Sequence, residues 1–445
     1  MSNDRLEEAR PAVVREAKQA GEDRARWAWA EPCVWTERML TALEDGVRGG
    51  KWFSLIDKVS APRVLRWAFT KVKANGGAAG VDHQTVVMYE QQLESQTEYL
   101  ARTLQEGSYQ PAAIRREWIP KPGRKEKRPL GIPTVRDRVV QKALLATLEP
   151  IFERDFAEQS YGFRPGRGCK DALRRVDQLL KQGYEWVVDA DLKSYFDTIP
   201  QEQLLKRIEE KVADGRVLEL IRKYLRQGVL ENMRHWQPEA GTPQGAVISP
   251  LLSNIYLDPL DQLMAASGIE MIRYADDFVL LCRSAAAAQH ALVLVQQWTE
   301  QAGLTLHPAK TRIVDTSQPG GFDFLGYHFE QGQRRPRQKS LEKFKDTVRA
   351  KTKRANGQSL QAIIANVNRS AQGWFGYFKH SHRYTFEPLD RLLRTRLRSI
   401  LRKRSGRRGR GRGTDHQRWS NSFFAEQGLF SFVAAHAQLR QSLTG

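Results

Sequence analysis

The feature that most constrains the fold of this sequence is a set of short apolar runs that end or turn at aspartates. One run covers residues 186–191 and ends at Asp191, and two more, 272–274 and 278–281, are joined by Asp276-Asp277. Short apolar runs bounded by turn residues are typical of buried strands. If these strands pair side by side, three carboxylates converge. Taken singly, each aspartate also fits a simpler role, because aspartate favours turns and caps helices.

The rest of the chain alternates strand, helix and hairpin signals, which is an α+β order. Residues 112–119 and 128–132 read as strands joined by a basic turn, and a long amphipathic helix is predicted from about 135 to 156. After Phe329 we expect no further strands.

The C-terminal part of the chain combines a helical pattern with almost all of the net charge. Apolar residues recur every three or four positions from 360 to 378, and leucines alternate with arginines from 389 to 402. Residues 331–413 hold 24 Lys/Arg and 4 Asp/Glu, a balance of +20, and the whole chain has 71 − 51 = +20, so the remainder is neutral. A concentrated basic block is the electrostatic footprint of a nucleic-acid binder. For residues 402–413 a solvated basic tail remains the alternative.

Cysteine content and hydropathy limit the cellular compartments in which this protein is expected. The three cysteines, Cys33, Cys169 and Cys282, are far apart and form no C-x-x-C pair, so neither a disulfide framework nor a cysteine zinc site is expected. Residues 1–26 are charged throughout, and no apolar run approaches the roughly 20 residues of a membrane span. We therefore expect a cytoplasmic protein, associated with RNA or the nucleoid, with no signal peptide and no membrane anchor.

Carboxylates at strand ends are suited to phosphoryl transfer. Joining a nucleotide to a strand requires charge neutralisation at the attacking and leaving oxygens, and two divalent ions held by carboxylates provide it. A polymerase sequence should therefore place acidic residues where the backbone is rigid.

The sequence motifs around these aspartates are more specific to a protein family than the aspartates themselves. In this order the sequence contains IPKP at 119–122, RPLGIP at 128–133, YGFRP at 161–165, DLKSYFD at 191–197, GTPQG at 241–245, SPLLSN at 249–254, YADD at 274–277, GL at 303–304 with KT at 310–311, FLGY at 324–327 and GWFGYF at 373–378. From about Lys51 onward the chain resembles the reverse transcriptases encoded by bacterial group II introns.

The resemblance implies a set of site residues. Asp191, Asp276 and Asp277 would bind two Mg²⁺ ions, for which Mn²⁺ is a possible substitute. Lys121 and Arg128 would contact the triphosphate of the incoming nucleotide, and both residue types suit phosphate.

Four further residues match family positions near the substrates. The resemblance places Phe196 against the sugar, where it would exclude a 2′-hydroxyl, and Gln244 near the sugar and the template pairing. Arg164 and Lys310 would touch template and primer phosphates. Without the resemblance, Phe196 reads as ordinary core.

The implied architecture is a right-hand polymerase. It comprises an N-terminal helical extension (1–50), fingers (51–156), a palm (157–330), a helical basic thumb or maturase domain called domain X (331–413) and a C-terminal motif (414–445). Trp374 and Tyr377 in the thumb are expected to be core rather than base-stacking residues. No cysteine follows Cys282, so we expect no C-terminal HNH endonuclease domain.

The implied function is an RNA-directed DNA polymerase that copies intron RNA into DNA during retrohoming and assists splicing. Its partners would be the intron RNA, an RNA template, a DNA primer and deoxynucleoside triphosphates. Two alternatives stay open. One is a polymerase of another setting, such as a retron, a diversity-generating element or a CRISPR-linked enzyme. The other is a splicing-only RNA-binding protein whose polymerase site has decayed.

Overall fold

The computed structural model describes residues 26–120, 127–231, 234–354, 357–407 and 411–444. Its strands are β1 (Ile114–Pro120), β2 (Lys127–Ile132), β3 (Trp186–Asp191), β4 (Val229–Glu231), β5 (Arg234–Trp236), β6 (Glu270–Tyr274), β7 (Asp277–Cys282), β8 (Arg312–Asp315), β9 (Phe322–Phe324), β10 (Tyr327–Glu330) and β11 (Gln333–Pro336). Short 3₁₀ turns lie at Arg48–Gly50 and Arg383–Thr385.

The helices follow the same chain order. They are α1 (Glu37–Asp45), α2 (Ile56–Val59), α3 (Pro62–Asn75), α4 (Val86–Gln91), α5 (Leu93–Glu106), α6 (Val135–Glu153), α7 (Cys169–Lys181), α8 (Tyr195–Thr198), α9 (Gln201–Glu209), α10 (Gly215–Leu225), α11 (Ser249–Ala266), α12 (Ala285–Gln301), α13 (Gln338–Lys351), α14 (Leu360–Phe378), α15 (Glu387–Arg404), α16 (Gly413–Arg418), α17 (Asn421–Glu426) and α18 (Phe432–Thr444).

The central sheet is antiparallel, with strand order β6-β7-β3-β8, and it separates two apolar layers. Side chains alternate across a strand. Val188 and Ala190 of β3 therefore join the large core that includes α6 and α11, while Val187 packs with α7 on the other face. Burial on both faces explains why these strands read as continuous apolar runs, and the predicted strands at 186–191, 272–274 and 278–281 are confirmed.

Two smaller sheets flank the central one. The predicted strands at 112–119 and 128–132 are confirmed as the antiparallel hairpin β1–β2, which β4 and β5 extend in the order β2-β1-β4-β5. The third sheet has the order β11-β10-β9. Its strand β11 lies beyond Phe329, so the expectation that strands stop there was wrong. This strand is on the edge of its sheet and carries Gln and Arg residues, so it shows no apolar alternation.

The described part of the N-terminal extension docks on the core. Trp27 and Trp35 are buried, and the indole Nε1 of Trp35 donates to the carbonyl oxygen of Ala146 in α6 at 2.9 Å. The ring of Trp35 also meets Trp52 edge to face, with centroids 5.3 Å apart. Residues 26–45 therefore belong to the same packed unit as α6.

Helix α6 confirms the predicted long helix, although it ends at Glu153 rather than near 156. Its N-cap, Thr134, accepts from the amide of Asp137, and the buried Asp137 carboxylate accepts from the hydroxyls of Tyr109 (2.7 Å) and Thr134 (2.6 Å) and from the amide of Ala112 (3.3 Å). Burial raises the pKa of Asp137 to about 6, because these hydrogen bonds and Arg136 only partly offset the lost hydration.

This shift predicts a pH-dependent stability. An acid whose folded pKa lies above its unfolded value stabilises the fold fully below the unfolded pKa, and the contribution is lost as pH rises through the folded pKa. From pH 4 to pH 7 the unfolding free energy of wild type should fall by up to ~3 kcal/mol relative to Asp137→Asn. Urea denaturation of both proteins across this range measures the difference, and parallel pH profiles would contradict it.

The C-terminal helices form a second apolar core. Residues of α13, α14 and α15 pack with Trp419, Phe424 and Phe432, so the predicted helices at 360–378 and 389–401 are confirmed. The ring of Trp374 stacks on Phe344 with centroids 4.9 Å apart, which confirms its core position. Asp390 accepts from the amide of Phe432 at 2.8 Å and so ties α18 to α15.

Not all arginines of α15 face the solvent. Arg391 is exposed, but the buried Arg398 donates to the carbonyl oxygen of Trp419 at 2.8 Å, and Arg402 pairs with the buried Asp415. The basic block thus supplies internal links to the C-terminal motif as well as surface charge.

No helix in the described ranges is long and apolar enough to cross a membrane.

Candidate active site

The carboxylates predicted to converge share one face and one end of the central sheet. Asp191 lies directly opposite Asp277 in the pairing of β3 with β7. By the alternation of side chains along each strand, both aspartates lie on the face of the sheet that carries Val187. Asp276 occupies the turn between β6 and β7. The structure therefore brings Asp191, Asp276 and Asp277 together, with strand geometry fixing the first and the last.

The backbone of this turn adopts a conformation that needs support. Ala275 has a φ of 61°, which is left-handed and unusual for a residue with a Cβ. The loop before α7 packs directly on the turn. A Cβ added to Gly162 would lie 2.3 Å from the amide nitrogen of Ala275, so only glycine fits there.

A fully buried polar network supports the turn, and no sequence pattern predicted it. The Arg273 guanidinium donates to the Asp261 carboxylate at 2.8 and 3.0 Å, to Oδ1 of Asn254 at 2.9 Å and to the carbonyl oxygen of Ala275 at 2.9 Å. The Asn254 amide donates in turn to the carbonyl oxygen of Gly162 at 2.9 Å. Helix α11 thus fixes both the turn and the loop that covers it.

The acidic cluster is electrostatically strained. Burial, together with the charges of Asp276, Asp189 and Asp191, raises the pKa of Asp277 to about 7. Burial also raises the pKa of Asp276, with the charge of Asp191 adding to the effect. Such mutual destabilisation of charged forms is typical of carboxylates gathered to bind a cation.

Asp189 is a fourth carboxylate of this cluster that the sequence reasoning missed. It precedes Asp191 by two residues and so points to the same face of the sheet. This two-residue spacing could have identified Asp189 from the sequence. Burial raises its pKa to about 6, against the opposing charge of Arg312, whose Nε lies 3.4 Å from Oδ2 of Asp189.

Lys310 lies on the acidic cluster itself. Its ammonium forms an ion pair with Asp191, and both side chains remain partly exposed. The predicted phosphate contact of Lys310 remains a prediction, and the observed pair places a positive charge where Asp191 would meet a metal ion.

The cluster fits a divalent metal by the chemistry of its donors. Carboxylate oxygens are the ligands that Mg²⁺ prefers. In the described ranges no three ligand groups are already gathered around one point. Loading would require Lys310 to release Asp191, with which it is paired.

The predicted nucleotide contacts lie around a neighbouring cavity of about 420 Å³. Phe196 and Gln244 both line it, and the amide of Gly131 donates to the carbonyl oxygen of Gln244 at 2.7 Å. Arg128 is exposed on β2, opposite Ile119. Lys121 lies outside the described residues.

Arg164 takes a different place from the one predicted. Its guanidinium is buried, bonds both oxygens of Glu153 at 2.8 to 3.0 Å and donates to the carbonyl oxygens of Ala157 and Ser160. With these donors engaged internally, the geometry gives no support to a phosphate contact. Such a buried pair instead joins the end of α6 to the loop that leads to Gly162.

Comparison with known proteins agrees with this geometry. Residues 119–329 match the family described as "Reverse transcriptase (RNA-dependent DNA polymerase)", and residues 341–419 match "Group II intron, maturase-specific domain". The first match contains the central sheet and its aspartates, and the second contains most of α13 and all of α14, α15 and α16. The predicted α+β right-hand polymerase fold is confirmed.

Two relatives define the family further. Protein YkfC of Escherichia coli (strain K12) is 33% identical over 344 residues, which cover 68% of this chain and 85% of that protein. Group II intron-encoded protein LtrA of Lactococcus lactis subsp. cremoris is 37% identical over 205 residues, or 46% of this chain, and the match spans about a third (34%) of LtrA. The chain belongs to the group II intron-encoded reverse transcriptases, RNA-directed DNA polymerases that carry a maturase domain.

Proposed function

We propose that this chain copies intron RNA into DNA during retrohoming, with two magnesium ions held by Asp191, Asp276 and Asp277. The observation that carries the proposal is the pairing of Asp191 with Asp277 across β3 and β7, beside the turn that presents Asp276. Bound magnesium would neutralise charge on the attacking and leaving oxygens. The parts of the chain would act as fingers (51–156), palm (157–330) and thumb (331–413).

The remaining steps follow from residues of the chain. Arg128 would bind triphosphate oxygens, together with Lys121, and Phe196 would pack against the deoxyribose. The primer 3′-oxygen attacks the α-phosphate, and pyrophosphate leaves. Lys310 would leave Asp191 when the site is loaded, which frees its ammonium for a phosphate of the template or primer.

The C-terminal helices would bind RNA and hold the primer–template duplex. Their sequence holds the excess charge of the chain, part of it on exposed side chains such as Arg391, and a rigid basic surface recognises structured RNA by its phosphates and shape. Assistance to splicing would use the same surface, separately from the carboxylates.

Phe196 gives a prediction on sugar selection. Phe196→Ala should raise the efficiency of ribonucleotide use relative to deoxyribonucleotide use by roughly 10- to 200-fold, because the ring would no longer exclude a 2′-hydroxyl. The measurement is the ratio of kcat/KM for the two nucleotides. Phe196→Tyr keeps the bulk and serves as the control. An unchanged ratio in an active Phe196→Ala enzyme would show that the ring does not contact the sugar.

The function itself is tested by primer extension with the full chain. An RNA template, a DNA primer, deoxynucleotides and Mg²⁺ should yield full-length DNA, and omission of Mg²⁺ should abolish it. If wild type binds intron RNA but extends no primer, the splicing-only alternative replaces the proposal.

A further inference from the structure

One face of the sheet β2-β1-β4-β5 carries two large aromatic side chains that the core does not use. The side chains of Trp118 and Trp236 are 44% and 39% exposed. The strand registers place Trp118 and Arg116 of β1 on the same face as Trp236 of β5. The side chains of this aromatic face line the same cavity as Phe196 and Gln244.

The aromatic face is held in place before any ligand arrives. The indole Nε1 of Trp118 donates to Glu231 at 2.5 Å, and Nη1 of Arg116 lies 3.7 Å from the same carboxylate. The Arg116 guanidinium also lies over the Trp236 ring, 4.7 Å from its centroid. One carboxylate and one guanidinium therefore fix both indoles, which lowers the entropy cost of binding a flat ligand.

The chemistry of this face selects its ligand. Indole faces stack on nucleobases of any sequence, and this stacking is a main source of affinity for single strands. Arg116 is already balanced by Glu231. Burial raises the pKa of the neighbouring Asp197 carboxyl, and the charge of Arg116 only partly opposes this. Because Glu231 already offsets the charge of Arg116, phosphate is a poor ligand for this face, and the exposed rings leave the base as the group recognised.

The position of the cavity identifies which base it is. Phe196 and Gln244 are the proposed contacts of the incoming nucleotide, so the aromatic face lies next to the nucleotide site. During templated synthesis the template base just ahead of the pairing position has no partner and has lost one stacking neighbour. We propose that Trp118 and Trp236 form a stacking site for the unpaired RNA template base ahead of the incoming nucleotide.

The proposal rests on the proposed function, and its test separates the two. Fluorescence anisotropy would measure the affinity of each protein for a primer–template duplex with a single-stranded 5′ template overhang and for a blunt duplex. Trp118→Ala and Trp236→Ala should each weaken binding of the overhang duplex on the order of ten-fold and leave the blunt duplex unchanged. Trp118→Phe and Trp236→Phe should keep part of the affinity, because a smaller ring still stacks.

Phe53→Ala is the matched control, since Phe53 is 64% exposed and does not line the cavity. Equal losses on both duplexes, or none on either, would overturn the template site. A raised KM for the nucleotide with unchanged overhang affinity would also overturn it, because the occupant would then be the nucleotide base. Failure of wild type to extend a primer would instead reject the proposed function, and the anisotropy comparison would remain valid.

Discussion

Asp276→Ala should lower the rate of primer extension by about 10²- to 10³-fold or more and leave the affinity for intron RNA unchanged. The loss has the size seen when one preorganised charge-stabilising group is removed from an active site. Asp276 is half-buried beside Asp191 and Asp277, and its removal leaves the cluster one carboxylate short. The basic surface of the C-terminal helices is not touched by the change.

The matched control for this variant is Asp315→Ala. Asp315 lies in the same sheet, opposite Trp186 at the far end of β3 from Asp191, and accepts hydrogen bonds from the neighbouring Ser317. It should extend primers like wild type. Single-turnover extension and filter binding of intron RNA provide the two readouts. Loss of both activities in Asp276→Ala would mean that DNA synthesis and RNA binding are not separable functions.

The convergence of the three aspartates could be predicted because its cause is local. Apolar runs buried on both faces mark the strands, and a strand end fixes where a side chain points. The same reasoning finds Asp189 once the two-residue period is applied to β3. The edge strand β11 lacks an apolar pattern, so no periodic signal marked it.

Partnerships between distant charged residues could not be predicted. Arg164 and Arg273 look in sequence like any exposed arginine, yet both are buried on carboxylates, Glu153 and Asp261. Lys310 is 119 positions from Asp191 and still reaches it. Which charges face inward depends on how α6, α11 and the central sheet pack, and no short-range pattern records that packing.

Arg273 should act as a positioning residue for the turn that carries Asp276. Arg273→Met leaves Asp261 as a buried charge without its partner, so the unfolding free energy should fall by about 3–5 kcal/mol. Replacing the pair together, as Arg273→Met with Asp261→Leu, removes the unpaired charge. Replacing a buried ion pair with apolar side chains of similar volume is often neutral for stability, so urea denaturation should show most of the loss recovered.

Primer extension by the double variant then separates packing from positioning. The carbonyl oxygen of Ala275 loses its donor in both variants, and the left-handed backbone that presents Asp276 loses its support. We therefore expect kcat to stay at least about ten-fold below wild type in the stable double variant, with the KM for nucleotide little changed, as for a misplaced catalytic group. A double variant that is stable and extends primers at the wild-type rate would show that Arg273 contributes only to folding. Reduced kcat in a stable protein would instead establish that the hydrogen bond to Ala275 places Asp276.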